Sequence, residues 1–157
     1  MLIAGEPSGD LLGAELVQAL RAELTAADVS YTHDLQPLRT GLEPHFFGAG
    51  GPHMAAAGVE LALNLTEHSI IGVPSPKTYW QARRRFNQLL QLAIDRHPDA
   101  IIGIDYNYFN LKFAHAIRTH LKNRNGPFRG WKPKLIKYIS PQVWASRENR
   151  AFQIAQD

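Results

Sequence analysis

One carboxylate at the end of an apolar run is the best-placed catalytic candidate in this sequence of 157 residues. Residues 100–104, Ala-Ile-Ile-Gly-Ile, form the short apolar run that a parallel strand buried on both faces needs, and Asp105 follows directly. In an open α/β sheet the carboxyl ends of the strands face the ligand crevice. The pattern therefore makes Asp105 a candidate general base, with the alternative that its carboxylate only caps the turn after the strand.

A polar turn near the amino terminus is a candidate anion site. Met1–Ala4 predicts a short strand, and residues 5–10, Gly-Glu-Pro-Ser-Gly-Asp, predict a turn with Ser8 or Asp10 near the N-cap of a helix. Leucines then recur every fourth residue, as in an amphipathic helix, at Leu12, Leu16, Leu20 and Leu24. Such a turn presents backbone N–H groups to an anion, but a capped turn without a ligand explains the same residues equally well.

Predicted strands and helices alternate along the rest of the chain. Residues 25–44 predict a long loop, and Phe46-Phe47 predicts a second strand. The Gly-x-Gly after that strand departs from the dinucleotide fingerprint, because Pro52 interrupts its spacing. The remaining elements are a helical turn at 54–57, an apolar segment at 69–73, a long helix at about 77–95, a helix at 113–121, a strand at 135–139 and a helix at 147–155. This alternation predicts one α/β domain, a mostly parallel sheet of four or five strands with helices on both faces.

The first half of the long predicted helix combines basic and aromatic side chains. They are Tyr79, Trp80, Arg83, Arg84, Arg85 and Phe86. This mixture suits the headgroup region of an anionic membrane. A solvated basic face whose aromatic rings turn into the core fits the composition at least as well.

The composition is that of a folded globular chain. Hydrophobic residues make up 45% and charged residues 20%, and the formal charge of +3 favours anionic partners only weakly. Because there is no cysteine and the seven histidines lack ligand-like spacing, we predict no metal and no cofactor. No run reaches the roughly 18 apolar residues of a membrane span, and no secretory signal is evident. The arginines accompany no nucleic-acid motif. We therefore expect a cytoplasmic protein that binds no nucleic acid.

Four segments resemble, in their order and spacing, the lipid-A-disaccharide synthases. They are Ala4-Gly5-Glu6-Pro7-Ser8-Gly9-Asp10 with Leu12-Gly13-Ala14, Gly48-Ala49-Gly50-Gly51-Pro52-His53-Met54 with Ala57-Gly58, Gly103-Ile104-Asp105 with Phe109-Asn110, and Tyr138-Ile139-Ser140-Pro141-Gln142-Val143-Trp144-Ala145 with Arg147 and Arg150. The resemblance implies that residues 1–157 are the N-terminal, acceptor-side Rossmann-like domain of a two-domain GT-B glycosyltransferase. The C-terminal nucleotide-sugar domain is then expected outside this chain, as a missing half or a separate subunit.

The resemblance also implies a reaction and a set of site residues. The family reaction transfers 2,3-diacylglucosamine from its UDP form to 2,3-diacylglucosamine 1-phosphate, with inversion and release of UDP. Asp105 matches the base, and the residues expected to contact substrate are Glu6, Ser8, Asp10, Asn110 and Ser140. The basic and aromatic helix matches a patch that holds such enzymes peripherally on the anionic inner membrane. We expect this chain to be inactive alone; the alternative is a non-catalytic domain that binds a glycolipid or a partner.

Two positions beside Asp105 depart from the family pattern. The family has a Pro-Asp pair before Phe-Asn, whereas this sequence has Asn107 and Tyr108. One carboxylate near the site is therefore absent. If that second acid orients the base in other members, activity is expected to be lower here.

Overall fold

Five parallel strands form the centre of the molecule. The computed structural model of the chain describes residues 1–26, 44–66, 76–122 and 130–139. Within these ranges the strands are β1 Leu2–Ala4, β2 Phe47–Gly50, β3 Glu60–Asn64, β4 Ala100–Ile104 and β5 Lys134–Tyr138. They lie in the order β3-β2-β1-β4-β5, and every neighbouring pair is parallel. The predicted α/β, Rossmann-like sheet is confirmed.

Helices cover both faces of this sheet, as predicted. They are α1 Pro7–Ala26, α2 Pro52–Ala56, α3 Pro76–Arg96 and α4 Asn107–Lys122. Side chains of β1 alternate between the faces, so Leu2 packs with Val17 of α1 and Met54 of α2, whereas Ile3 packs with Leu89 of α3 and Phe113 of α4. Two hydrophobic cores therefore meet across the sheet and hold the ends of β1 and β4 in place.

Strand β3 is the element that sequence patterns did not predict. Its residues Glu-Leu-Ala-Leu-Asn are exposed or half-buried, because β3 lies at the edge of the sheet and has a neighbour on one side only. A short strand with little burial lacks the apolar run that predicted β4. The apolar segment 69–73 lies outside the described residues.

The other predicted elements within the described residues are present with shifted ends, whereas the helix predicted at 147–155 lies outside them. The long helix predicted at about 77–95 spans Pro76–Arg96, and the strand predicted at 135–139 spans Lys134–Tyr138. Helix α4 begins six residues before the predicted start at 113. Phe109 continues the four-residue spacing of Phe113 and packs on the same core, but its polar neighbours Asn107 and Asn110 favoured a turn there. Among the described helices, none is both long enough and apolar enough to cross a membrane.

Candidate functional site

The pairing of the two central strands brings the two candidate segments together. Ala4 at the end of β1 lies opposite Ile104 at the end of β4, so the polar turn and Asp105 leave the sheet side by side. The ring of Tyr106 lies directly against Gly5, where any Cβ atom would overlap the ring. The carboxyl edge of the sheet therefore joins both segments in one place, which is where open α/β sheets bind ligands.

Asp105 is held in an unusual backbone conformation. Its φ angle is 47° and that of Tyr106 is 43°, both in the left-handed region, which costs an L-residue about 1–2 kcal/mol each. Two contacts hold this loop: the Asp105 N–H donates to the Tyr138 carbonyl over 3.4 Å, and the Asn110 amide donates to the Asp105 carbonyl over 2.8 Å. Strain of this kind is typical of functional sites and persists only where the surroundings impose it.

The side chain of Asp105 is half-buried, and its carboxylate has no partner among the described residues. Within the part of the chain that the structure describes, no ion pair or side-chain hydrogen bond engages it. Its charge acts on Lys137: burial lowers the pKa of the Lys137 ammonium, and the Asp105 charge opposes that effect. Lys137 donates instead to the side-chain oxygen of Asn107. The geometry thus leaves Asp105 free to accept a proton.

Asn110 supports the loop that carries Asp105. Its side chain is buried and packs on Gly103, where a Cβ atom would lie 2.8 Å from the Asn110 Cγ. The side-chain amide nitrogen of Asn110 donates a hydrogen bond to the Asp105 carbonyl. Its Oδ1 atom has no hydrogen-bond partner among the described residues. Asn110 therefore acts on the loop that carries Asp105, and its predicted contact with substrate stays a prediction.

Asp10 has a role that sequence analysis did not foresee. Its side chain is only 1% exposed, and its carboxylate accepts hydrogen bonds from the N–H groups of Gly51 (2.8 Å), His53 (2.9 Å) and Met54 (3.0 Å). Gly51 is the N-cap of α2 and offers no side chain, so Asp10 caps that helix from α1. Ser8 and Asp10 do lie near the N-cap of their own helix, as predicted, because α1 begins at Pro7 and both are in its first turn, but the Asp10 carboxylate caps α2 instead.

The other two predicted residues of the turn remain open to solvent. Glu6 and Ser8 are both exposed beside the Asp105 loop. Unlike the buried Asp10, they are accessible to a ligand from solvent, and their predicted contact with substrate stays a prediction. Ser140 lies outside the described residues, as do Pro141 to Trp144, Arg147 and Arg150.

The basic and aromatic half of α3 divides into two groups. Tyr79 and Trp80 are 59% and 65% exposed, and Arg83 and Arg84 are exposed as well. Phe86 does not belong to this surface: its ring packs edge-on against Phe109 at 5.3 Å and Phe113 at 5.7 Å. Its place at helical spacing with Leu89 and Ala93 explains this, since those residues form the inner face of α3. Arg85 is half-buried next to it.

Tyr106 is a site residue that sequence analysis missed. Its ring stacks on Phe109 at 5.1 Å. Burial and the Glu6 carboxylate raise the pKa of its hydroxyl, and the charge of Arg85 acts in the opposite direction. Tyr106 thus stands between the polar turn and α3. An aromatic residue after an acid has no distinctive spacing, so no sequence signal pointed to it.

Comparison with known proteins identifies the family. A family model described as lipid-A-disaccharide synthetase matches residues 1–157. The chain belongs to the lipid-A-disaccharide synthase family. This confirms the resemblance found in the four sequence segments and supports the predicted Rossmann-like α/β fold class.

Curated relatives define how much of such a protein this chain covers. The lipid-A-disaccharide synthase of Geobacter sulfurreducens is 35% identical over 99% of this chain and 34% of the relative. Lipid-A-disaccharide synthase 2 of Legionella pneumophila is 33% identical over 98% and 33%. The Pasteurella multocida enzyme is 33% identical over 99% and 33%. The chain spans about one third of the length of the curated relatives it matches.

Proposed function

We propose that this chain is the acceptor-side domain of an inverting glycosyltransferase that forms the lipid A disaccharide. It would act on UDP-2,3-diacylglucosamine as donor and 2,3-diacylglucosamine 1-phosphate as acceptor. The observation that carries the proposal is the uncommitted, half-buried Asp105 carboxylate, held on a strained loop at the carboxyl edge of the sheet. Family membership supplies the reaction class.

In the proposed step, Asp105 acts as the general base. An acceptor hydroxyl attacks the anomeric carbon of the donor sugar from the face opposite the UDP group. The bond to UDP breaks, UDP leaves with its electron pair, and the hydroxyl proton passes to the Asp105 carboxylate. The Lys137 ammonium interacts with Asp105 electrostatically, but the described residues contain no ion pair between the two, so the carboxylate remains available to the acceptor hydroxyl.

The exposed part of α3 is proposed to hold the domain on the membrane. Tyr79 and Trp80 are suited to the headgroup region, and Arg83 and Arg84 to the anionic surface of the cytoplasmic leaflet. Each arginine near such a surface contributes about 1 kcal/mol of binding. A diacylated acceptor resides in the bilayer, so peripheral attachment at the inner membrane brings the Asp105 edge close to it.

The donor-side residues are proposed to lie on a second domain or a separate subunit. The test is a chimera in which residues 1–157 replace the matching third of the Geobacter sulfurreducens relative. We expect the chimera to form disaccharide and residues 1–157 alone to form none. Asp105→Asn should lower the rate of the chimera by roughly 10²–10⁴-fold, whereas Asp95→Asn, a change at an exposed α3 carboxylate, should not. Full activity of Asp105→Asn, or turnover by the chain alone, would contradict the proposal.

One observation favours the alternative of a non-catalytic glycolipid-binding domain. Tyr108 is 77% exposed at the position where the family pattern has an acid. In the chimera, Tyr108→Asp tests this directly. If Tyr108→Asp restores or increases sugar transfer by the chimera, the result supports the enzyme. If the chimera binds acceptor but transfers no sugar with either Tyr108 or Asp at this position, the result supports the binding domain.

A further inference from the structure

One side-chain hydrogen bond joins strand β5 to helix α4. The ammonium group of Lys137, near the end of β5, donates to the side-chain oxygen of Asn107, the first residue of α4. Both side chains are half-buried. Within residues 1–26, 44–66, 76–122 and 130–139 no carboxylate forms an ion pair with Lys137, and burial lowers the pKa of its ammonium. Because a cation is seldom withdrawn from solvent without an acid beside it, Lys137 is not an ordinary surface charge.

Strand β5 thereby holds the turn that carries the candidate base on both sides. Before the turn, Ile104 of β4 pairs with Tyr138 of β5. After the turn, Asn107 is bound by Lys137, the residue next to Tyr138. Only residues 105–106 lie between these two attachments, and both have left-handed φ angles, 47° and 43°. Adjacent residues of one strand therefore span the strained part of the turn.

The bond from Lys137 differs in kind from the other contacts of this turn. The Asp105 N–H reaches the Tyr138 carbonyl over 3.4 Å, which is longer than the usual N–H···O range of about 2.7–3.2 Å. The Asn110 amide donates to the Asp105 carbonyl over 2.8 Å, but both of these groups are neutral. A hydrogen bond from a charged donor is roughly twice as strong as a neutral one. Loss of the Lys137 bond should therefore loosen the turn more than loss of either other contact.

We propose that Lys137 is a positioning residue for Asp105 and acts through Asn107. Its hydrogen bond fixes the start of α4 and so keeps residues 105–106 in the conformation that presents the carboxylate to the acceptor hydroxyl. This role deepens the proposed function and rests on it for Asp105 as the general base. Lys137 contacts no reacting atom in this arrangement. Direct action of its charge on a ligand is the competing explanation, and the kinetics of variants separate the two.

The kinetic test uses the chimera in which residues 1–157 replace the matching third of the Geobacter sulfurreducens relative. Lys137→Met keeps an unbranched side chain without the ammonium and should lower kcat about 10–10²-fold, because small displacements of a catalytic group are costly. KM should stay within about twofold, since no substrate contact is removed. The matched control Lys134→Met removes the same charge from an exposed position of the same strand and should leave kcat within about twofold.

A double-mutant cycle decides whether Lys137 acts through Asn107. Asn107→Ala removes the acceptor while the ammonium stays, and it should lower kcat by a factor similar to that of Lys137→Met. The variant with both changes should be no slower than the slower single variant, because one contact cannot be lost twice. Asn107→Asp keeps an acceptor at this position and should retain at least about half of kcat.

The 157-residue chain gives a readout that needs no turnover. The side-chain amide of Asn110 donates to the Asp105 carbonyl, so its NMR resonances report the position of the turn. Lys137→Met should shift these resonances and the backbone amides of residues 105–106, whereas Lys134→Met should leave them in place. Unchanged amide resonances of α1 show that a variant keeps the fold. If Lys137→Met loses the fold, Asn107→Ala carries the same predictions.

Equal kcat values of Lys137→Met and Lys134→Met would overturn the proposal. A rise of KM alone, or multiplied effects in the double variant, would do so as well, because both indicate direct action on a ligand. Failure of the transferase proposal looks different: the chimera then forms no disaccharide or keeps full transfer in Asp105→Asn, while the Asn110 shifts of Lys137→Met persist in the isolated chain. Unshifted Asn110 resonances in Lys137→Met overturn the positioning role in either case.

Discussion

Replacement of Asp10 should destabilise the domain far more than its position in a helix suggests. The carboxylate joins α1 to α2 across 41 residues of sequence and is almost completely buried. Oδ1 accepts from the N–H groups of Gly51 and Met54, and Oδ2 accepts from that of His53. Pro52 follows Gly51 and has no N–H, so Asp10 accepts every N–H bond available from the cap through the third residue of α2.

The magnitude follows from how many of these donors lose their acceptor. A buried donor left without a partner costs about 1–3 kcal/mol. Asp10→Ala leaves two buried donors and one that solvent partly reaches, so we expect a loss of about 3–5 kcal/mol in the free energy of unfolding. Asp10→Asn retains Oδ1, which already accepts two of the three bonds, and should lose about 1–2 kcal/mol.

Urea unfolding followed by circular dichroism measures both variants against the original chain. The matched control is Asp95→Asn, because Asp95 is exposed and, among the described residues, its side chain bonds only to Gln91 one turn away. It should change stability by less than about 0.5 kcal/mol. Amide exchange at Met54 gives an independent readout, since its N–H should lose protection in Asp10→Ala. If Asp10→Ala unfolds at the same urea concentration as the control, the cap across α1 and α2 does not stabilise the fold.

Two further predictions concern the amino-terminal strand and the packing beneath the loop that carries Asp105. Burial lowers the pKa of the Met1 amine from 8.0 to about 6, opposed by Asp99, so the folded chain prefers the neutral amine. Stability should therefore rise by up to about 2 kcal/mol between pH 6 and pH 8, and a two-residue amino-terminal extension should abolish this slope in urea titrations. Gly103→Ala should lower the free energy of unfolding by about 1–3 kcal/mol, because the added Cβ displaces Asn110. Gly130→Ala, where no atom lies within 4 Å of the added Cβ, should leave it unchanged in the same assay. Equal effects of the two changes would contradict the packing argument.

Most of the fold could be predicted because its central elements have strong patterns. Residues 100–104 are apolar and strand β4 is largely buried, and the leucine spacing that predicted α1 reflects packing of that helix on the sheet. Strand β3 could not be predicted, because an edge strand that is only half-buried needs no continuous apolar run. Burial, rather than secondary structure as such, is what the sequence patterns report.

The candidate site was predictable only in part, for a related reason. An acid at the end of a buried strand is visible in sequence, and Asp105 lies there. Sequence analysis predicted that Asp10 contacts substrate at the same edge of the sheet. In the structure its carboxylate binds the N-terminus of α2 instead, and this contact could not be predicted because α2 lies 41 residues further along the chain. Arg85 resembles its neighbours Arg83 and Arg84 in sequence, but it is half-buried whereas they are exposed.

The conformation of Asp105 and Tyr106 shows why long-range contacts decide the chemistry. Two successive L-residues in the left-handed region cost about 2–4 kcal/mol together, and only part of this is offset by the readiness of aspartate to adopt that region, because tyrosine has no such preference. The loop persists because Tyr138, on the neighbouring strand, and Asn110, one turn into α4, each bind the backbone of Asp105. Strand β5 and helix α4 therefore position the backbone of Asp105, and a change in either should move its carboxylate without altering the residue itself.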